Sequence, residues 1–259
     1  TIGSVSCGLV TISNLFKADW VLLDSGPVPL RCWWATPDPY SHDSVSKSNQ
    51  NRVVIVLPEV FGVNAWVRSV AERISSQGIP ALAMPLFART APGLNLGYND
   101  ADLVEGRRHK DATTAEQILA DVGTAIHWLQ AQKLGVQISV VGFCFGGHAA
   151  VLAATLPAVR STFNFYGAGV SRMRPGGGPP TLELLSTVPG RLTCFCGTAD
   201  PLIPAEDRAA IQAALHLEDP SAQRFRYLEM EGADHGFMCE ARSSYNLEAA
   251  EHGWKVLLN

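Results

Sequence analysis

The chain has 259 residues, and its content of 47% hydrophobic and 17% charged residues is typical of a globular protein with a full core. A formal net charge of −4 provides no electrostatic basis for binding nucleic acid or an anionic membrane. Six cysteines in a chain this long do not form a disulfide scaffold, and the first twenty residues lack the apolar segment of a signal peptide. We therefore expect one domain over residues 1–259 in a reducing, cytoplasmic compartment, and we make no prediction of the oligomeric state.

The amino-terminal part of the chain predicts four strands, one helix and a long surface loop. Two early strands, WVLLDSG and VPLRCWWA, flank a turn at Ser25-Gly26-Pro27, and the polar segment PDPYSHDSVSKSNQNR after them predicts the loop. VVIVLPE is a continuous β-branched run, as expected of a strand that is buried on both faces. Trp66, Val70 and Ile74 then recur every four residues, which predicts a helix that ends before Gly78. The strand IPALAMP follows.

The remaining chain alternates helices and strands. TTAEQILADVGTAIHWLQAQ predicts an amphipathic helix whose start Thr113 or Thr114 caps. Glu116 or Gln117 completes a capping box there. The later strands are VQISVVG, TFNFYG, RLTCFCG and QRFRYLEM. Three more helices are predicted: one after Gly147, one that begins near Pro204, and the closing helix SSYNLEAAEHGWKVLL. Residues 90–110 and the segment RPGGGPP are predicted loops. This alternation predicts an α/β fold with a mostly parallel central sheet, helices on both faces, and ligands at the carboxyl ends of the strands.

The segment Leu134–Val159 has the length and low charge of a membrane helix. Several glycines interrupt it, together with the polar residues Gln137 and Ser139 and the helix breaker Pro157. We therefore predict a strand, a tight turn and a buried helix in this segment, and no membrane partner.

The tight turn in that segment is Gly142-Phe143-Cys144-Phe145-Gly146. A nucleophile between a strand and a helix has a strained backbone, and bulky residues two positions away would clash with the turn, which explains both glycines. The positive end of the following helix favours a thiolate. The pattern is typical of a nucleophile elbow with cysteine in the usual serine position. The alternative is a small cysteine that only permits close packing of the helix on the sheet.

An elbow nucleophile requires an acid and a histidine later in the chain, in that order. Asp200 follows the strand RLTCFCG, and His235 follows the strand QRFRYLEM. His235 would accept the thiol proton, while Asp200 would orient the imidazole and stabilise its cation. Asp234 is too close in sequence to turn back onto the ring of His235, and His148 lies on the helix side of Cys144. We therefore predict a triad of Cys144, Asp200 and His235.

Glu59 ends the buried strand VVIVLPE, beside the expected active site. It is either a functional acid or an acid that stabilises the helix beginning near Asn64. The loop after this strand also offers a backbone N–H for an oxyanion hole, together with the N–H that follows the nucleophile. We predict that these two donors are Val60 and Phe145.

Four segments together resemble the dienelactone hydrolase family: PEVFGVNAWVRSVAERISSQGIPALAMPLFAR, VVGFCFGG, GTADPLIP and GADHGFMCEARSSYN. The resemblance extends from about Val21 onward. It implies the α/β-hydrolase fold, the triad of Cys144, Asp200 and His235, and no metal or organic cofactor. It also implies that Glu59 contacts the resting thiol and helps to activate it when substrate binds. The founding activity of the family opens dienelactone, a butenolide that carries a carboxylate, to maleylacetate.

Family members that open dienelactone bind the substrate carboxylate with arginines, one soon after the histidine and one before the long helix. Here Gly236-Phe237-Met238 follows His235, and Arg242 is the nearest arginine. Arg107 and Arg108 precede the long helix and are the candidates for the second position. The alternative for these two arginines is a solvated basic loop.

We interpret the protein as a hydrolase of activated esters or lactones that forms a thioester with its small-molecule substrate. One alternative is an acyltransferase or peptidase on the same fold, and another is a binding protein with an inactive triad. A third is a redox-sensing protein, in which Cys194, Cys196 or Cys239 would lie close to the elbow cysteine. The spacing of Cys194 and Cys196 is not typical of a zinc site, so we expect buried, inert thiols and no metal.

Overall fold

Eight strands form one mixed sheet in the computed structural model, which describes residues 15–38, 51–133 and 137–259. The strands are β1 Phe16–Leu23, β2 Leu30–Pro37, β3 Arg52–Leu57, β4 Ala81–Ala83, β5 Gln137–Phe143, β6 Val159–Phe165, β7 Arg191–Gly197 and β8 Phe225–Met230. Their spatial order is β1-β2-β4-β3-β5-β6-β7-β8. Strand β2 pairs antiparallel with β1 and β4, and every other neighbouring pair is parallel. The prediction of a mostly parallel sheet is confirmed.

Six α-helices lie within the described residues, and they cover both faces of this sheet. They are α1 Ala65–Ser75, α2 Asp100–Asp111, α3 Ala115–Ala131, α4 Phe145–Ala153, α5 Ala205–Glu218 and α6 Leu247–Leu258, with a 3₁₀ helix at Thr181–Thr187. The long polar loop predicted before β3 falls mostly outside the described residues.

Strand β3 divides the hydrophobic core into two layers. All six of its residues are buried. Val54 and Val56 belong to the layer formed with α1, α5 and α6, whereas Val53, Ile55 and Leu57 belong to the layer formed with α3. Successive side chains of a strand point to opposite faces, so a continuous apolar strand can contribute to both layers. The prediction of a doubly buried strand with helices on both faces is therefore confirmed.

The structure fixes the starts of helices α3 and α4, which the sequence left open or placed too late. Thr114 caps α3: its side chain accepts the N–H of Gln117 at 3.3 Å, and the Gln117 side chain accepts the N–H of Thr114 at 3.1 Å. Helix α4 begins at Phe145, two residues before Gly147, because it starts directly at the elbow. The segment Leu134–Val159 contains β5 and α4, and among the described residues no helix is long and apolar enough to cross a membrane.

Residues 90–110 contain most of helix α2, which the sequence pattern had suggested to be a loop. This helix buries few residues, so it lacks the apolar stripe from which helices are predicted. It packs instead through Gly106, where an added Cβ would overlap the carbonyl oxygen of Val60, and through His109, whose Nδ1 lies 3.0 Å from Oγ1 of Thr90. Helix α2 therefore packs closely on the loop that follows β3.

Candidate active site

Cys144 occupies the turn between β5 and α4 with a backbone φ of 54° and ψ of −121°. A positive φ is uncommon for a residue with a side chain and indicates local strain. A Cβ on Gly142 would overlap the carbonyl oxygen of Gly146, and a Cβ on Gly146 would overlap that of Leu57. The turn thus has the strained backbone and the close glycine contacts that the sequence pattern predicts for an elbow.

Asp200 and His235 meet near this turn because they follow the neighbouring strands β7 and β8. Nδ1 of His235 lies 2.8 Å from Oδ2 of Asp200. The other carboxylate oxygen of Asp200 accepts the N–H of Leu202 at 2.8 Å, which fixes the acid in place. Asp200 has a fully buried side chain, and that of His235 is only 8% exposed. The imidazole is therefore held in one orientation and shielded from solvent.

The charge of His235 depends on these neighbours. Burial lowers the pKa of His235, but the Cys144 sulfur and the Asp200 carboxylate outweigh burial and raise the pKa to about 10. A raised pKa favours the imidazolium form of His235, the form that stabilises a nearby thiolate. Its Nε2 is buried and makes no aligned hydrogen bond within the described residues, so this nitrogen is available for proton transfer.

The competing acid and histidine have other partners. Oδ1 of Asp234 accepts the backbone N–H of His235 and does not bond its ring. His148 is buried on α4, with Nδ1 3.0 Å from the carbonyl oxygen of Ala168 and Nε2 2.7 Å from Oγ1 of Thr181. Burial lowers the pKa of His148 to about 4, so this ring is neutral and both of its nitrogens are occupied.

Glu59 is fully buried and pairs with Arg242 across a distance of 2.8 Å between Oε1 and Nη1. Its Oε2 has no hydrogen-bond partner among the described residues. Among the described residues Glu59 therefore makes no hydrogen bond to the Cys144 thiol, and the activating role that the family resemblance implied stays a prediction. The physical reason is charge: a buried carboxylate is stabilised far more by the guanidinium of Arg242 than by a neutral hydrogen-bond partner. Burial still raises the pKa of Glu59, against the opposing effects of Arg242 and His235.

We expect Arg242→Met to lower the free energy of unfolding by about 2 kcal/mol at pH 8, and by clearly less at pH 5. The substitution leaves the Glu59 carboxylate buried without its cation, which raises the pKa of Glu59 further. A carboxyl whose folded pKa lies above its unfolded value loses stabilisation as the pH rises between the two values, so the penalty is greater at the higher pH. Urea unfolding at both pH values measures the effect.

Arg108→Met is the matched control for this prediction. Arg108 pairs with Glu105 at 2.7 Å on the surface of α2, where its side chain is 68% exposed. Its removal should leave stability nearly unchanged at either pH, because exposed ion pairs contribute little. Equal penalties for Arg242→Met at pH 5 and pH 8 would contradict a charged, buried Glu59.

Two backbone N–H groups near Cys144 have no hydrogen-bond acceptor among the described residues. Neither Val60 nor Phe145 donates a hydrogen bond through its backbone within the part of the chain that the structure describes. Phe145 begins α4, so its N–H is one of the free donors at a helix start. Val60 lies in the loop after β3, and Gly106 of α2 packs closely against its carbonyl group. Both donors that the sequence predicts for an oxyanion hole are therefore unoccupied.

A cavity of about 410 Å³ includes Cys144, Phe145 and His235 in its wall. Its basic side chains are Arg107, Lys110 and Arg242. Much of the remaining wall is apolar, from Phe61, Leu103, Met173 and Leu202. The structure thus brings two of the three predicted arginines to the cavity. Arg108 is not among the residues that line it, and the solvated alternative holds for this arginine.

Two residues of this region escaped the sequence reasoning. Lys110 lines the cavity from the end of α2, a helix that was not predicted. Tyr166 is fully buried directly after β6, with a φ of 42° and its ring centroid 5.2 Å from that of His235. Its hydroxyl has no hydrogen-bond partner within the described chain. The rule that functional residues follow the carboxyl ends of parallel strands could have identified Tyr166.

The other described cysteines are buried free thiols. Burial raises the pKa of Cys194 and of Cys239 to about 12, and that of Cys196 well above its ordinary value. These thiols are protonated and unreactive at neutral pH, as expected for Cys194 and Cys196. Within residues 15–38, 51–133 and 137–259, no group of three or more histidine, cysteine or acidic side chains could hold a metal ion.

The sheet order, the strained cysteine elbow and the acid–histidine pair at the next strand ends define the fold of an α/β-hydrolase. Within that class, residues 42–259 match the family model described as "Dienelactone hydrolase family". The chain belongs to this family.

Named relatives agree with the family. A Synechocystis sp. protein named "Putative carboxymethylenebutenolidase" is 39% identical over 208 residues, 80% of this chain and 83% of the relative. The "Carboxymethylenebutenolidase" of Pseudomonas putida is 29% identical over 201 residues, 76% of this chain and 80% of the relative. The crystal structure of a "Putative Dienelactone Hydrolase" from Klebsiella pneumoniae matches with a TM-score of 0.80 and 22% identity, covering 95% of this chain and 98% of that chain. The chain is accordingly an enzyme of the esterase and lactone-hydrolase class.

Proposed function

We propose that this enzyme hydrolyses activated esters and lactones through a thioester on Cys144, with His235 and Asp200 completing a catalytic triad. The observation that carries this proposal is the 2.8 Å contact of Asp200 with His235, a histidine that lines the same cavity as the strained cysteine. Geometry of this kind orients an imidazole for proton exchange with a thiol.

In the first half of the reaction, the Cys144 thiolate attacks the carbonyl carbon and the C–O bond to the leaving group breaks. The N–H groups of Val60 and Phe145 would hold the oxyanion that forms in between. The leaving oxygen departs as an alkoxide or enolate and takes the proton of His235. A thioester on Cys144 and a neutral His235 remain.

In the second half, the changed charge of the sulfur makes His235 a base. The acylated sulfur is uncharged, so of the two groups that raise the pKa of His235, Cys144 and Asp200, only Asp200 still does so. His235 can then take a proton from water as the water attacks the thioester carbonyl. The C–S bond breaks, the acid leaves, and the thiolate and imidazolium are restored.

The cavity favours a substrate with an acidic group at one end and an apolar body. Arg107, Lys110 and Arg242 supply positive charge, and a guanidinium can bind a carboxylate in a bidentate manner. A butenolide with a carboxylate, such as dienelactone, has this chemistry. Its enolate is also a good leaving group for a thiolate nucleophile.

We expect brief mixing with p-nitrophenyl acetate to add one acetyl group to the wild-type protein and none to Cys144→Ala. Intact-protein mass and nitrophenol release measure the two products. Cys194→Ala is the matched control, because its thiol is buried and protonated and its removal should leave the adduct in place. Equal nitrophenol release by wild type and Cys144→Ala, both folded by circular dichroism, would remove Cys144 from the mechanism.

A further inference from the structure

A second cavity, of about 550 Å³, lies at the opposite end of the sheet from Cys144. Its wall comes from the amino ends of β3, β5, β6, β7 and β8. Five arginines line it: Arg52, Arg160, Arg191, Arg224 and Arg226. None of its described lining residues is acidic, and within the described chain none of these arginines forms an ion pair. The cavity is therefore strongly positive although the whole chain is acidic.

Arg52 is buried in the wall of this cavity, with 8% of the residue exposed. Its Nε donates to Oγ of Ser139 at 3.0 Å, but its Nη2 is buried with no hydrogen-bond partner in the described residues. Oγ1 of Thr162, in the same wall, is also buried and unpartnered. Burial lowers the pKa of Arg52 to about 10. An unpaired buried guanidinium is costly, and an anion beside it would offset that cost.

We propose that this cavity is a binding site for a phosphate-bearing small molecule. Guanidinium groups bind phosphate oxygens in a bidentate manner, and the hydroxyl of Thr162 can donate to the same anion. The other four arginines are exposed around the buried Arg52 and form no ion pair among the described residues, although Nη1 of Arg224 donates to the Val188 carbonyl oxygen at 2.9 Å. They can therefore contact further phosphate oxygens.

The size and lining of the cavity indicate more than a single inorganic phosphate. Its volume falls in the range of small-molecule sites, and its apolar lining is limited to Phe163 and Val256. The ligand is therefore a diphosphate or a phosphorylated polar molecule, with several charged or hydroxyl groups and little apolar surface.

This site is independent of the proposed hydrolysis. Gln137 begins β5 at the second cavity, and Cys144 directly follows the end of that strand. Seven residues of extended strand separate the two by roughly 20 Å. A ligand at the arginines can therefore bind without occupying the site of Cys144.

Isothermal titration calorimetry with inorganic pyrophosphate and with glucose 6-phosphate, at constant ionic strength, tests the proposal. We expect saturable 1:1 binding of at least one of them, weakened at least tenfold by Arg52→Gln. Tighter binding of pyrophosphate would indicate a diphosphate ligand, and tighter binding of glucose 6-phosphate would indicate a phosphorylated sugar. The double variant Arg160→Gln/Arg226→Gln changes only exposed side chains and should weaken the same binding. It replaces Arg52→Gln as the test if that variant does not fold. Both variants should still form the acetyl adduct on Cys144.

Arg107→Gln and Arg31→Gln are the controls. Arg107 lines the cavity of Cys144, and Arg31 is exposed on β2, so neither change should affect phosphate binding at the second cavity. Loss of binding in Arg107→Gln but not in Arg52→Gln would place the anion at the active site and overturn the proposal. Absence of saturable binding of both phosphates, or tighter binding of citrate than of either, would also overturn it.

Discussion

Asp200→Asn should lower kcat/KM for p-nitrophenyl acetate by about 10³- to 10⁴-fold. The carboxylate of Asp200 lies 2.8 Å from Nδ1 of His235 and is one of the groups that raise the pKa of that histidine. An amide has no charge to stabilise the imidazolium and can favour the wrong ring tautomer. The pKa of His235 should therefore fall in this variant, and NMR titration of the ring measures that shift beside the steady-state rate.

Asp234→Asn is the matched control, because Asp234 adjoins His235 and differs from Asp200 in what it contacts. Among the described residues its carboxylate accepts one hydrogen bond, from the backbone N–H of His235, which an asparagine oxygen can also accept. We expect a change in kcat/KM of less than about threefold, which corresponds to the modest energy of one local hydrogen bond. Similar losses in both variants would show that the acid of the proposed triad is misassigned.

Gly142→Ala should lower the free energy of unfolding by about 3 kcal/mol or more. A Cβ at this position would overlap the carbonyl oxygen of Gly146 and crowd the nitrogen of Gly147. Both are backbone atoms at the start of α4, so they can move only if the elbow itself opens. We therefore expect the acetyl adduct on Cys144 to be lost together with stability. Urea unfolding and intact mass measure the two effects.

Gly123→Ala is the matched control: it adds the same methyl group but should not destabilise the protein. Gly123 lies within α3, and an added Cβ there would have nothing within 4 Å. Alanine is favoured over glycine inside a helix by about 0.5–1 kcal/mol, so this variant should be as stable as wild type or more stable. Tolerance of Gly142→Ala with an intact adduct would show that the turn relaxes, and that its glycines are not a steric requirement.

The elements that the sequence predicted share a strong local signal. Strand β3 reads as a continuous β-branched run, and α3 combines an apolar stripe with a capping box at Thr114. Helix α2 was not predicted because its buried residues are only Gly106 and His109, which leave no periodic apolar pattern. The start of α4 was predicted after Gly147, three residues too late, because the elbow lets a helix begin directly after the strained cysteine.

The candidate triad was predictable for a related reason. Parallel strands place their carboxyl ends at one edge of the sheet, so residues that follow β5, β7 and β8 lie near one another whatever the intervening loops do. Cys144, Asp200 and His235 needed only the correct strands and the order required of an elbow. Their catalytic role stays a prediction, with the adduct on Cys144 and the Asp200→Asn variant as its tests.

The sequence by itself determined the fold class, the family resemblance and the three strand ends that carry the candidate site, because each depends on local patterns or on the topology of parallel strands. Only the tertiary structure decided that Glu59 pairs with Arg242 across 183 residues, and that Arg107 reaches the cavity while Arg108 does not. It also gathered the five arginines of the second cavity from four segments, the starts of β3, β6, β7 and β8. Such contacts depend on how loops close and which face of a helix turns inward. Those are properties of packing between distant segments and are not encoded in the spacing of neighbouring residues.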